Sequence, residues 1–235
     1  MCGRFTLSYR ERLKLAEELG VPPEQIPDDV YKPRYNIAPT DPHYVMRLRL
    51  EDRELLQAKW GLVNYWARDA KRAAAQINAR AETLDTNRAF KEAFAKRRCV
   101  VPADGFFEWV SQGKERFPVW FHRPDGGLIY FAGLYENWQP TPGNYQRTFT
   151  IVTTTPNELV SRVHDRMPVV LPEDLVDQWM DPRFEDVEPL KELLVPAAND
   201  ALIATPVSQR VNSVKNDDPD CLTPGELPES QRALF

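Results

Sequence analysis

The sequence predicts an α+β protein, a single domain around a curved, mostly antiparallel, barrel-like β-sheet with peripheral helices. Three observations predict it. The 235 residues can bury a sizeable core, and six Trp, eight Tyr and eleven Phe supply apolar bulk for it. Runs with strand composition outnumber helical ones. Most of those runs are joined by short turns, which favours antiparallel pairing because parallel strands need long crossovers.

Ser8-Tyr9-Arg10-Glu11 has capping-box spacing and predicts a helix that stops before Gly20. The proline-rich stretch 21–42 reads as irregular connection. Runs 44–50 and 55–60 read as strands about the charged turn 51–54. A helix is expected over 87–96. Strands follow at 99–101, 106–110, 117–122, 128–135 and 147–154, punctuated by Gly, Pro and Asp/Asn turns. Residues 157–163 read as a short helix capped by Asn157, then a strand at 167–171, helices at 173–180 and 188–194, and a last strand at 201–207. A loop over 211–218 closes the domain, taken as residues 1–221. From Leu222 the Pro- and Glu-rich end, 222–235, is expected to be flexible.

No apolar run approaches the ~18–20 residues that cross a bilayer, so no membrane span is expected. The start, MCGRFTLSYRER, has no apolar signal core. Three Cys without close pairing argue against a disulfide scaffold and for a reducing, cytoplasmic setting. No His/Cys spacing suggests zinc, and no cofactor is expected. A monomer is expected. The net charge of −5 counts against a simple nucleic-acid binder, whose affinity comes from cations neutralising phosphates. An acidic chain can bind such a polyanion only if its basic residues converge on one face.

Cys2 is the most informative residue. If Met1 is removed, the chain begins with an amine and a thiol on adjacent carbons. An internal Cys cannot offer that pair, because its nitrogen is held in amide resonance. Such an aminothiol condenses with an aldehyde to a Schiff base, and the thiol then closes a thiazolidine ring. The reference pKa values, ~7.7–8 for the amine and ~8.5 for the thiol, leave both usable near neutrality. The plain alternative is a frayed terminus.

Glu108 shares a strand face with Phe106 and Val110 if 106–110 is extended. A carboxyl among apolar neighbours is raised by desolvation and can carry a proton at neutral pH; the alternative is a solvated Glu at a strand edge. His164 follows the helix 157–163, whose C-terminus favours an imidazolium able to donate a proton; the alternative is a capping His paired with Asp165. His43 and His122 read as structural, Cys99 as core and Cys221 as incidental. Asn78, Arg80 and Glu82 share one face if extended, although the Ala-rich 71–75 favours helix. The extended reading from Ile77 is preferred, because it gathers the three toward one cleft.

Seven motifs now stand in order: Cys2-Gly3-Arg4-Phe5, Arg34-Tyr35-Asn36-Ile37-Ala38-Pro39-Thr40, Trp60-Gly61-Leu62, Ile77-Asn78-Ala79-Arg80-Ala81-Glu82-Thr83, Asp104-Gly105-Phe106-Phe107-Glu108-Trp109, Val163-His164-Asp165-Arg166-Met167-Pro168 and Val211-Asn212-Ser213-Val214-Lys215-Asn216. Together they resemble the SOS-response-associated peptidase (SRAP) family, the abasic-site-processing proteins, over residues 2–218. The resemblance implies loss of Met1 and crosslinking of the exposed Cys to abasic sites in single-stranded DNA. It implies Cys2 as nucleophile, Asn78 as the residue that orients the reacting group, Glu108 as the proton-moving carboxylate and His164 as the histidine assisting sugar ring opening. Arg4, Arg80, Arg88 and Arg166 match DNA-contacting positions, and Pro39, Trp66, Trp109 and Thr153 fall at or near positions contacting bases or strand. The arginines, with Arg34 and Lys215, would supply the basic patch that the net charge lacks; aromatic and phosphate contacts together suit single strands. The other readings are an N-terminal-nucleophile cysteine hydrolase and a non-catalytic binding module. The end, Gln231-Arg232-Ala233-Leu234-Phe235, resembles Gln-x-x-Leu-Phe peptides that bind a replication sliding clamp.

Overall fold

The computed structural model of the protein describes residues 2–71, 75–184 and 186–234, with side chains as far as 231. In chain order the strands are β1 (Phe5–Leu7), β2 (Arg34–Ile37), β3 (Pro42–Arg49), β4 (Asp52–Trp60), β5 (Asn78–Arg80), β6 (Arg98–Ala103), β7 (Gly105–Gln112), β8 (Glu115–His122), β9 (Ile129–Thr141), β10 (Asn144–Thr154), β11 (Met167–Pro168), β12 (Val170–Leu171) and β13 (Ile203–Pro206). The α-helices are α1 (Arg12–Leu19), α2 (Lys91–Lys96), α3 (Glu158–Ser161), α4 (Val176–Met180) and α5 (Glu188–Lys191).

The strands form two sheets. One runs β13-β8-β7-β1-β2. In the other, β10, β4, β3, β6 and β9 follow one another, and β10 also pairs with β9, so the five close into a barrel. Pairing is antiparallel except where β10 meets β4 and β5. Closure removes the open edges that would otherwise bind another strand. The expected barrel-like α+β architecture is therefore observed.

Phe5 locks the chain's beginning to the core. Its ring meets those of Trp60, Phe131 and His43 edge-on, at centroid distances of 5.0, 6.1 and 4.8 Å. Edge-to-face packing suits the aromatic quadrupole. Phe106 continues the layer, stacked on Phe121 at 5.2 Å. Gly105 sits where any side chain would collide: a Cβ there would lie 2.1 Å from Trp120 Nε1. Gly20 takes φ 64° and closes α1 as expected, its N–H reaching back to Ala16 and Glu17.

Several expectations are corrected. Ser8 caps no helix; its N–H and hydroxyl both donate to Asp104 Oδ2 at 2.6 Å, and α1 starts at Arg12. The buried Asp104 takes up the Ser8 side chain and N–H in place of a capping box. The stretch 21–42 is not wholly irregular, because β2 lies in it and pairs with β1. The helices expected at 87–96 and 188–194 are shorter, and the strand at 167–171 is two two-residue pieces that pair with different partners, β10 and β9. Cys221 is not incidental; it packs in a small core with Tyr35, Phe107, Val207 and Val211. The chain stays attached well past Leu222. Pro224 bridges Val207, Gly225 N–H donates to the Pro206 carbonyl at 3.0 Å, and Leu227 is buried. The clamp-like motif lies mostly outside the described residues: side chains are described only to Gln231, and Phe235 not at all. Among the described residues no helix is long and apolar enough to cross a membrane.

Candidate functional site

The site lies where the two sheets meet. The first sheet brings the segment leading into β1, with Cys2 and Arg4, and β7, with Glu108 and Trp109. The second brings Asn78 and Arg80 on β5, Thr153 on β10, and His164 and Arg166 on the approach to β11.

Cys2 is 0% exposed. Asn78 Nδ2 donates to its carbonyl at 2.8 Å, tying the chain's beginning to β5. The other end of that amide, Asn78 Oδ1, is buried with no hydrogen-bond partner among the described residues. Burial pushes the Cys2 thiol far up from its ordinary range, and the Glu108 carboxylate pushes in the same direction. Met1 lies outside the described residues.

Glu108 stands opposite Val119 in the β7–β8 ladder and is 4% exposed. Phe106 and Val110, two residues either side on the same strand face, are buried as well. The solvated alternative is thereby excluded. Desolvation raises its carboxyl to about 7, against the pull of the nearby Arg116 guanidinium. A group so placed can both hold and release a proton at neutral pH.

His164 is placed by α3, which Asn157 caps by accepting the Val160 N–H at 2.9 Å. The His164 N–H returns to the Val160 carbonyl. Its Nδ1 has two neighbours of opposite kind: the Arg166 N–H at 3.0 Å and Asp165 Oδ1 at 2.9 Å. The first suits a neutral ring protonated on Nε2; the second suits Nδ1 carrying a proton. Burial lowers the His164 pKa, with Asp165 opposing. Burial thus works against the imidazolium that the helix end was expected to favour, while Asp165 and the Arg166 backbone work for it.

A cleft of about 1100 Å³ opens over these groups, lined among others by Gly3, Arg4, Pro39, Glu108, Trp109 and His164. Cys2 and Asn78 lie behind this lining. The extended reading of 77–82 holds for Asn78–Arg80, which pair with Ile151–Thr153. It fails at Glu82, which turns into a 3-10 turn, Ala81–Thr83.

The cationic candidates divide into two kinds. Arg166 is committed inward: its fork grips Glu82 at 2.5 and 2.9 Å and reaches the Thr153 carbonyl at 2.5 Å. Arg4 is also held, donating to Asn36 Oδ1 at 2.8 Å and to the Val211 carbonyl at 3.0 Å. Thr153 is 1% exposed, so it lies beneath the surface, against Arg166. Arg80 and Arg88 carry no ion pair among the described residues and are exposed. Arg88 lies over the Trp66 ring at 4.9 Å, and Trp66 is 47% exposed beside a second cavity of about 600 Å³. Gln76, two residues before Asn78, also lines that cavity.

Three functional features were missed in the sequence. Asn36 is buried and donates to the carbonyls of Val211, Ser213 and Asn216 at 3.1, 3.0 and 2.7 Å, and Asp217 accepts from the backbone of Tyr35 and Asn36. The motifs at 34–40 and 211–216 are thus two halves of one clasp. Arg34 is part of it, paired with Asp217 and Asp41, so it belongs to the scaffold rather than to a basic patch. Asn212 accepts from Trp109 Nε1 at 2.6 Å and fixes that ring. Arg116 also lines the cleft. His43 and His122 are bonded to Pro102 and Thr205, away from this group, and burial holds His43 at about 4.

The chain matches the SOS response associated peptidase (SRAP) family model over residues 1–214. It is 39% identical to the abasic site processing protein YoqW of Bacillus subtilis over 94% of this chain and 99% of that one. It is 31% identical to the abasic site processing protein HMCES of Gallus gallus, over 97% of this chain and 79% of that one. A crystal structure of a protein from Bacteroides thetaiotaomicron superposes with a TM-score of 0.84 at 25% identity, covering 96% of this chain and 100% of that one.

Proposed function

The chain belongs to the SRAP family, and from that premise we propose that it processes abasic sites in DNA, trapping them in single strands as a covalent thiazolidine through Cys2. The observation that carries the reading is the convergence of Cys2, Asn78, Glu108 and His164 where the two sheets meet, beneath a cleft large enough for a nucleotide.

The chemistry follows from the residues. Removal of Met1 frees the Cys2 nitrogen. That amine adds to C1′ of the ring-opened sugar, and the carbinolamine loses water to give an imine. The Cys2 sulfur then attacks the imine carbon; its proton passes to the nitrogen and the five-membered ring closes. Burial keeps the thiol protonated, so the amine acts first and the sulfur second. Glu108, half-ionised near pH 7, carries protons for the dehydration and the closure. His164 assists opening of the sugar by taking the proton of the C1′ hydroxyl and delivering one to the ring oxygen as the bond between that oxygen and C1′ breaks. Asn78 Oδ1 supplies an acceptor for the freed amine beside its existing bond to Cys2. Arg80 and Arg88 take phosphates, with Trp66 and Trp109 offering stacking faces. The imine also permits β-elimination, so weak lyase activity accompanies trapping. Release of Met1 would be the peptidase activity in the family's name.

The test is to mix the protein, its Met1 loss confirmed by mass, with a single-stranded oligonucleotide carrying one abasic site. A denaturant-resistant adduct is expected from the wild type and none from Cys2→Ala or from a chain with an extra residue before Cys2. Adduct formation by Cys2→Ala at unchanged yield sinks the thiol mechanism. No adduct from the wild type, with turnover on peptides, favours the cysteine hydrolase. The end of the chain is proposed to tether the protein to a sliding clamp; deletion of 230–235 without loss of clamp binding removes that idea.

A further inference from the structure

Arg116 stands out among the cations of the cleft. It lies on β8 opposite Ser111, diagonal to Trp109 across the hairpin, so Trp109, Ser111 and Arg116 share one face. All three line the cleft, together with Lys114 at the hairpin tip. The Arg116 guanidinium sits over the Trp109 ring at 4.7 Å from its centroid. Arg4 sits over the same ring at 5.8 Å. The arrangement is fastened from behind: Asn212 accepts from the Trp109 indole at 2.6 Å and donates to the Arg116 carbonyl at 2.9 Å.

Asp41 and Glu115 also line the cleft, and Asp41 is already paired with Arg34. Neither Arg116 nor Lys114 forms an ion pair among the described residues, whereas Arg34, Arg47, Arg53, Arg97 and Arg166 are all paired with carboxylates. Arg116 also repels Arg4, adding to the depression that burial causes in the Arg4 guanidinium. Like charges sharing one aromatic ring and one cleft form a seat that a phosphodiester would neutralise. The arginine fork suits that oxygen pair better than a lysine would.

We infer that Arg116, stacked on Trp109 and seconded by Lys114, is a phosphate-binding arm for the DNA strand on the wall of the cleft that the first sheet builds, in the same cleft as Val163 and His164. The inference rests on the proposed DNA reading and adds a contact site to it. A strand would then be gripped from both sheets, with its sugar held over Glu108 and His164.

The test is the salt dependence of binding to a short single-stranded oligonucleotide without a lesion. Removing one phosphate-binding cation lowers the slope of log K against log salt by about 0.7 on single strands. Arg116→Ala is expected to weaken binding roughly three- to tenfold and to reduce the slope by about that much. Arg116→Lys should keep the slope and part of the affinity. Arg183→Ala, on an exposed arginine paired with Asp181, should change neither. Thermal melting of each variant checks the fold. If the wild type binds and Arg116→Ala keeps both affinity and slope, the arm is refuted while the DNA reading stands. If the wild type binds no single strand at low salt, both fall together.

Discussion

Asn78 and Cys2 are joined across the seam of the two sheets by one 2.8 Å hydrogen bond, and the amide oxygen left over on Asn78 is buried without a partner among the described residues. An unsatisfied buried acceptor costs about 1–3 kcal/mol, so its retention marks a place reserved for a donor. Asn78→Ala should lower the rate of adduct formation by about 10²-fold while changing stability by only about 1 kcal/mol, since it removes positioning and one hydrogen bond. Single-turnover kinetics beside urea unfolding separates the two. An unchanged rate would remove Asn78 from the mechanism.

Glu108 gives a pH signature with a definite sign. Its carboxyl titrates at about 7 when folded, above the ordinary 4.5. The folded state therefore holds a proton that the unfolded chain has lost between these values. The stabilisation from the neutral carboxyl is complete below about pH 4.5 and is lost as pH rises through about 7, a difference on the order of 3 kcal/mol. Glu108→Gln should remove this slope, making the variant the more stable of the two at pH 8 while adduct formation slows. Urea unfolding at pH 5 and pH 8 checks it; parallel pH dependence in the two proteins would contradict it.

Asp165 opposes the burial that lowers His164. Asp165→Asn should therefore move the imidazole titration further down, leaving a smaller protonated fraction at pH 6. The ring-proton resonance of His164 followed by NMR reports this directly. A titration that moves upward or stays in place would show that the 2.9 Å contact carries no charge interaction.

The Glu82–Arg166 pair should separate binding from reaction. Glu82→Gln removes a carboxylate beside the cleft, so affinity for an intact single strand should rise about two- to fivefold. The same change loosens Arg166, whose backbone N–H bonds His164, so the covalent step should slow. Affinity and rate falling together would show that the pair is only structural.

Gly105→Ala is expected to cost about 3 kcal/mol or more, because its Cβ would have to occupy space 2.1 Å from the Trp120 indole nitrogen and 2.9 Å from a Phe121 carbonyl. Calorimetric melting checks it; a loss under about 1 kcal/mol would mean that Trp120 swings aside.

How much of this was legible in the sequence differs by residue. Glu108 could be placed because strand alternation fixes which neighbours share its face, and Phe106 and Val110 are apolar. Cys2 could be singled out because its chemistry depends only on position in the chain. For His164 the helix end is a local signal, whereas the burial that opposes its charge becomes visible only in the folded chain. Cys221 and the stretch after Leu222 were misread because the residues that hold them, Tyr35 and Phe107 for Cys221 and Val207 for Pro224, lie in other elements of the fold. Arg116 gave no signal at all, since a cation near a hairpin tip looks like any solvated charge until the diagonal to Trp109 is seen.

The clasp of Asn36 on residues 211–216 bears on how the molecule comes into being. During synthesis Asn36 leaves the ribosome long before the carbonyls it must serve, and Arg4, which leans on both Asn36 and Val211, waits with it. A nascent chain thus owns its Cys2 early but completes this wall of the cleft only when translation has passed residue 216. The residue proposed to react is thus made first, and a wall of the cleft above it is among the last parts to be finished.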